Sequence, residues 1–502
     1  MRLFPMNLGQ ARVRLVHGGA ALVTATLIAG CGSTYRPVVT PITPSGPEAQ
    51  PSSYAVVVSA PSPTTPGIAT IIDYSGDSVL ALAPIGVGPE TFTIDALGGT
   101  GYTVNSDGTL SNFPIASSLQ AKQVEYTTLP STADPVNLFS PSSGLLAADL
   151  SGNVADVFSG FPQSFKLAIP VLEPTPTMAV GPATNGQRIF VLSQGSVATA
   201  VDCNNSPTTA PTGFASGIEL SSETLSSNLP VGKCPVFAVE TPDNKRLFVL
   251  NRGDDTVTVI NSQNNTLDAC TPFLNQNGQT VTCHPTLPLS TASLNATNAP
   301  VNCNIAVTPT CGMGSIAGPV YAEYNQTTAQ LIVSNYDGNS ISVIDVSEDE
   351  YGNDSQTFGT TYTIPVGANP ASVTVLADGS RAYTANQTDQ TVTIVALNSH
   401  TVEKTLAVSG HPRTVVSTQN SQFGKVYVAS PDTPYLTILR TDLDIVDTTV
   451  LVEGNIVDVR VTTQTGASGN TNTLSRRPGY GQPCFLPGTA ASATLALCRT
   501  LP

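Results

Sequence analysis

Along much of the chain, apolar and polar residues alternate in short runs separated by turns of Gly, Asn, Asp, Ser and Pro. A period of two puts successive side chains on opposite faces of an extended segment, so these runs read as half-buried β-strands. Four stretches repeat one design of strand, polar turn and strand: 245–260, 330–345, 381–395 and 425–439. Between them recurs Gly-x-x-Pro, at Gly86–Pro89, Gly232–Pro235 and Gly367–Pro370, with a degenerate copy at Ser409–Pro412. Glycine permits a sharp reversal, and proline as the first residue of a strand loses no ladder bond. An inner strand after each proline and a fourth strand such as Thr363–Val366 complete the cycle. Four antiparallel strands per cycle of about 45 residues predict the blades of a β-propeller.

Blade starts fall at Pro89, Pro135, Pro176, Pro235, Pro319, Pro370 and Pro412. An eighth blade can be assembled from both termini, with 456–461 as its inner strand and 54–58, 69–73 and 78–82 as the other three. Seven and eight blades both remain open, and the count leans to eight. Closing the ring with strands from both termini would remove the open edges that invite aggregation. The propeller is expected over 54–465, with disulfide-rich insertions at about 203–230 and 261–316 and a Gly/Ser/Thr-rich tail at 466–502.

Composition agrees with an all-β chain. It holds 41 Gly and 40 Pro, too many for long helices, and only 11% charged residues. Its formal charge is −15. That field repels a phosphate backbone, so nucleic acid is not an expected partner.

The N-terminus changes the picture more. Residues 1–30 carry Arg2, Arg12 and Arg14, no acid, and a small apolar run at 20–28. This run is too short to span a bilayer and reads as the core of a signal peptide. Ile28-Ala29-Gly30-Cys31 resembles the lipobox of bacterial lipoproteins, which implies a diacylglyceryl thioether on Cys31, cleavage before it and a further acyl chain such as palmitate on the new amine. Loss of the three arginines takes the charge from −15 to −18. Gly32, in place of an aspartate, favours the outer membrane, on its periplasmic or surface face. Residues 31–53 carry the lipidated cysteine and a Pro/Ser/Thr-rich tether containing Pro37, Pro41, Pro44, Pro47 and Pro51.

Besides Cys31 there are eight cysteines, an even number that suits disulfides in an oxidising compartment. Pairing neighbours gives Cys203–Cys234, Cys270–Cys283, Cys303–Cys311 and Cys484–Cys498. Zinc is the rival reading, but no C-x-x-C pair and no nearby His doublet supports it.

Within the repeats, Lys425–Ala429 and Leu247–Asn251 resemble the second strand of the YVTN family of propeller repeats, and Asp255–Asn261 resembles its third. The resemblance is good over 231–455, apart from the cysteine-rich insertion, and weaker over 88–230. It implies a fold related to lactonase-type propellers. The turns between second and third strands then share a face with the Gly-x-x-Pro connections. That face would collect Asp254, Asp255, Asp337, Asp389 and Asp432, with Lys233, His411 and Arg413 nearer the channel mouth. A carboxylate ring could hold Ca²⁺, although Asn, Asp and Gly are also what tight turns require. No cofactor is predicted beyond that, and no metal ligand set is assigned.

His400 is expected in an exposed turn and His284 in the insertion. His411 lacks an identifiable partner for base chemistry. Motifs for a serine-hydrolase elbow, a zinc-protease helix or a phosphate loop are missing from the sequence. The leading expectation is a membrane-anchored binding or scaffolding propeller of the cell envelope, with a protein or glycan partner. A lactonase-like hydrolase acting at the channel mouth and a self-assembling envelope component are the alternatives.

Overall fold

Eight four-stranded antiparallel sheets stand around a central axis in the computed structural model, which describes residues 53–115, 123–141, 144–160, 162–182, 186–195, 211–289, 301–303 (backbone only), 317–418, 421–422 and 424–462. Cys31, Cys203, Cys311, Cys484 and Cys498, the signal segment, nearly all of the tether and the tail lie outside these residues.

Blade 1 is the closure. Its inner strand, Asn455–Val461, comes from the C-terminal side, and Tyr54–Ala60, Pro66–Asp73 and Val79–Val87 follow outward. Val57 pairs with Val459 and Ala55 with Val461. The fold is therefore an eight-bladed propeller closed by strands from both ends, resolving the open count.

The inner strands of blades 2 to 8 are Pro89–Ile94, Pro135–Phe139, Pro176–Val180, Pro235–Glu240, Pro319–Asn325, Pro370–Val375 and Thr414–Ser417. Six begin at the expected proline. In those six, the register shifts just after the proline, as between Pro89 and Thr91 or Pro370 and Ser372. This is a β-bulge that bends the chain into the blade.

Residues 212–233 correct one boundary. Of these, 212–230 were expected inside an insertion, but Thr212–Glu219 and Thr224–Lys233 are the third and fourth strands of blade 4. Glycines interrupt the alternation there for steric reasons. A Cβ on Gly213 would collide with the Pro235 ring, and one on Gly217 with Ser227. In the other insertion, Cys270 and Cys283 form the expected disulfide. Thr286–Pro288 then returns to pair with the third strand of blade 5, Thr256–Asn261. Cys234 is buried and disulfide-bonded, while its expected partner Cys203 lies outside the described residues.

One polar device recurs where second strands end. Asn251 donates from Nδ2 to Thr256 and Thr258, Asn335 to Ser340 and Ser342, and Asn386 to Thr391 and Thr393, all at 2.7–3.1 Å. Asn105 does the same with Thr109 and Ser111. These buried amides hold the hairpin between strands two and three. They also explain the Gly-x-x-Pro glycine: a Cβ on Gly232 would lie 2.6 Å from Asn251 Cγ, and one on Gly367 2.7 Å from Asn386 Cγ.

A second device joins blades on the opposite face, where strands one and two, and three and four, turn. A cation opening the second strand reaches the lower turn of the next blade. Arg188 donates to the Ser262 carbonyl, Arg381 to that of Thr441, and Lys425 to that of Tyr74. Lys425 also pairs with Asp77 at 2.7 Å, which locks blade 8 to blade 1 across the seam.

Candidate functional site

The face bearing the Gly-x-x-Pro connections, called upper here, gathers the predicted carboxylates as the repeats require. Each is engaged, four with loop N–H groups and Asp337 with a side chain. Asp254 accepts the Lys233 N–H at 3.0 Å, Asp389 that of Ala368 at 2.6 Å, and Asp432 that of His411 at 2.8 Å. Asp107 does the same for Val87. Asp255 reaches the next blade and accepts the Gly318 N–H at 2.8 Å. Asp337 accepts from the single nitrogen Nη2 of Arg252 on both its oxygens, at 3.0 and 2.9 Å. Burial pushes the carboxyls of Asp254 and Asp255 above their ordinary range, with the hydrogen bonds opposing it. No grouping of three or more His, Cys, Asp or Glu suited to a metal occurs among the described residues.

His411 gains the partner that its sequence neighbours do not reveal. Its Nδ1 lies 2.7 Å from Asp432 Oδ2, and its Nε2 lies 3.1 Å from the Gln390 side-chain amide. A carboxylate that orients an imidazole is half of a general-base arrangement. The other two histidines do different work. His284 pairs with Asp354 at 2.7 Å and stacks on Phe358, docking the disulfide-bonded excursion. Arg246 reaches the other oxygen of Asp354 at 2.5 Å. His400 is in the turn expected for it but is half-buried rather than exposed, stacked 3.7 Å from the Tyr362 ring. Burial lowers its pKa.

The axial channel is filled by side chains that the sequence reading passed over. From the inner strand of blade 1, Arg460 pairs with Asp458 at 2.9 Å and hydrogen-bonds Tyr321 of blade 6. Tyr321 packs against Phe237 of blade 5, with ring centroids 4.4 Å apart. Burial opposes the charge on Arg460, but Asp458 and Tyr321 together hold its pKa up. Above this plug, where the inner strands begin, lies a small recess of about 10 Å³, roughly the room of one water molecule. Glu90, Thr91, Phe92, Arg413, Thr414 and Asp458 line it. Burial lowers the pKa of Arg413, and Asp458 works against that. Arg413 is thus the predicted residue that reaches the channel, and Lys233 and His411 sit in the surrounding connections. Glu90 was legible only as the residue after a blade-opening proline.

The arrangement is that of a β-propeller in every blade. No protein-family model matches the sequence, and no curated protein matches it. Solved structures do. AztD of Citrobacter koseri is 12% identical with a TM-score of 0.53, covering 82% of this chain and 97% of its own. NirN, a dihydro-heme d1 dehydrogenase, is 13% identical with a TM-score of 0.53, covering 84% and 78%. A putative 6-phosphogluconolactonase of Bacteroides fragilis is 15% identical and covers 83% and 99%, but its TM-score of 0.48 is too low to carry an argument. At such identities the likeness shows the fold alone.

Proposed function

We propose that this chain is a lipid-anchored binding or scaffolding propeller of the cell envelope, using its upper face and channel-mouth recess to hold a protein or glycan partner. The observation that supports this most is the engagement of the upper carboxylates in hydrogen bonds around a plugged channel. Such a face is polar and held together by hydrogen bonds, and it presents a small recess lined by Glu90 and Arg413 among others. Preformed polar surfaces suit recognition, because little conformational entropy is lost on binding. The Cys31 motif supplies the anchoring part of the reading.

In-cell crosslinking followed by purification of the wild-type chain, of Cys31→Ala and of Glu90→Ala/Arg413→Ala tests it. One stoichiometric envelope partner is expected with the wild type, reduced in both variants. Recovery of no partner, or of the chain itself alone, would overturn the reading in favour of self-assembly or hydrolysis.

One observation favours the hydrolase alternative: the His411–Asp432 pair beside the connection that leads to Arg413. Lactone hydrolysis lost in His411→Gln, with folding retained, would establish it.

A further inference from the structure

The lower face carries a feature that binding at the upper face does not use. Blade 1's inner strand ends at Val461 and its second strand begins at Tyr54, so the chain enters and leaves the ring on this face. There Thr462 N–H donates to the Tyr54 carbonyl, and Tyr54 N–H to Thr462 Oγ1, each at 2.9 Å. Large apolar side chains are exposed around this point. Leu80 and Leu82 stand on the lower half of blade 1's outer strand. Leu97, 75% exposed, tips the lower turn of blade 2, and its neighbour Gly98 abuts the Thr462 backbone. Leu443, 56% exposed, occupies the lower turn of blade 8, and Val446 follows it. Among the described residues, Tyr126, Leu172, Tyr435 and Leu451 are the large exposed apolar side chains that lie toward the upper face.

Single exposed leucines are ordinary on a soluble surface, but a one-sided cluster marks an interaction surface. The occupant follows from connectivity and charge. The segment that leads back to Cys31 joins the propeller at Tyr54, inside this cluster. The rim also carries Asp73, Asp95 and Asp447, while its cations Lys425 and Arg440 are paired with Asp77 and Asp442. An anionic surface would be repelled. We propose that this rim rests in the interfacial layer of a zwitterionic lipid surface, so that the anchored propeller stands with its recess facing away from the membrane. The inference rests on the anchoring reading above. Apolar side chains set into the headgroup boundary would add to the hold of the acyl chains.

The sequence contains no tryptophan, so a single introduced indole reports its own environment. The mature chain would be coupled through Cys31 to a maleimide lipid in phosphatidylcholine–phosphatidylethanolamine vesicles, which makes docking intramolecular. Leu97→Trp is expected to shift its emission to the blue and to be quenched by brominated acyl chains. Leu172→Trp on the upper face is expected to do neither. Adding Leu80→Ser and Leu82→Ser, or replacing part of the lipid with phosphatidylglycerol, should weaken the Leu97→Trp signal. Equal signals at both positions, no signal at Leu97→Trp, or a signal that grows with anionic lipid would overturn the proposal. Anchoring is read separately, by metabolic labelling with a palmitate analogue in wild type and Cys31→Ser. Absence of labelling sinks the anchor without altering the vesicle result.

Discussion

In blade 3 the amide device of the other hairpins is replaced by two carboxyls, and this gives a prediction with a definite sign. Asp149 stands where Asn251, Asn335 and Asn386 stand, and Asp156, seven residues on, takes the place of Thr258, Ser342 and Thr393. Asp149 already accepts backbone N–H groups from Asp134 and Ser151 at 2.9 Å and from Gly152 at 3.4 Å. The proton between the two carboxyls therefore sits on Asp156, which is 2% exposed. Burial first, and then the charge and hydrogen bond of Asp149, raise its pKa from 3.8 to about 8. The folded chain holds this proton where the unfolded chain has released it. The dyad's contribution to stability is therefore complete below about pH 4 and is lost as the pH rises through about 8. At about 1.4 kcal/mol per pKa unit, the effect amounts to at most about 6 kcal/mol over that window. Asp156→Asn can still donate to Asp149 but cannot titrate. Urea unfolding of the wild type and the variant from pH 5 to 9 should show the variant gaining on the wild type by several kcal/mol toward alkaline pH. Parallel profiles would refute the assignment of the proton to Asp156.

Other consequences are as specific. Lys425→Met leaves Asp77 half-stranded at the seam and should cost about 3 kcal/mol, the low end for a broken buried pair; Asp77→Asn in the same chain should recover part of it in urea titrations. Gly367→Ala places a methyl 2.7 Å from Asn386 Cγ and should lower stability by about 1–3 kcal/mol, as overpacking does, with Asn386→Ser restoring some of the loss. Arg460→Met removes the partner of Asp458 inside the plug and should destabilise by about 3–5 kcal/mol, measured as a lowered denaturation midpoint.

The fold was legible because its signals are local and repeated. The period of two, the Gly-x-x-Pro turns and the short strands at both termini all follow from backbone geometry within a blade. The closing pair of Val57 with Val459 could be anticipated because an open ring would leave strand edges bare. Blade 4 was harder, since Gly213 and Gly217 serve tight packing and erase the alternation of their strands. Much of the candidate site depends on what meets across blades. His411 and Asp432 lie 21 residues apart, the spacing also of Lys233 with Asp254 and Ala368 with Asp389, but Glu90, Arg413 and Asp458 come from three different blades. Single-sequence spacing carries no trace of such a meeting. The cations that open second strands were visible in the aligned segments as Arg246, Arg381 and Lys425, but their targets lie in neighbouring blades. The repeats place Asp254, Asp255, Asp337, Asp389 and Asp432 in upper turns and pass over Asp107, which accepts the Val87 N–H; the bonds that occupy these carboxylates appear only once the turns and connections are folded together.

Recognition at the channel mouth is tested most directly by a photocrosslinking amino acid placed in cells at Ser106, an exposed upper-turn residue whose N–H donates to the Gly88 carbonyl beside Glu90, with a second placed at Ser399 on the lower face of blade 7. One dominant crosslinked envelope partner is predicted from position 106, competed by excess wild-type chain and not formed from position 399. Crosslinks of equal yield from both positions, or none from position 106, would contradict that recognition.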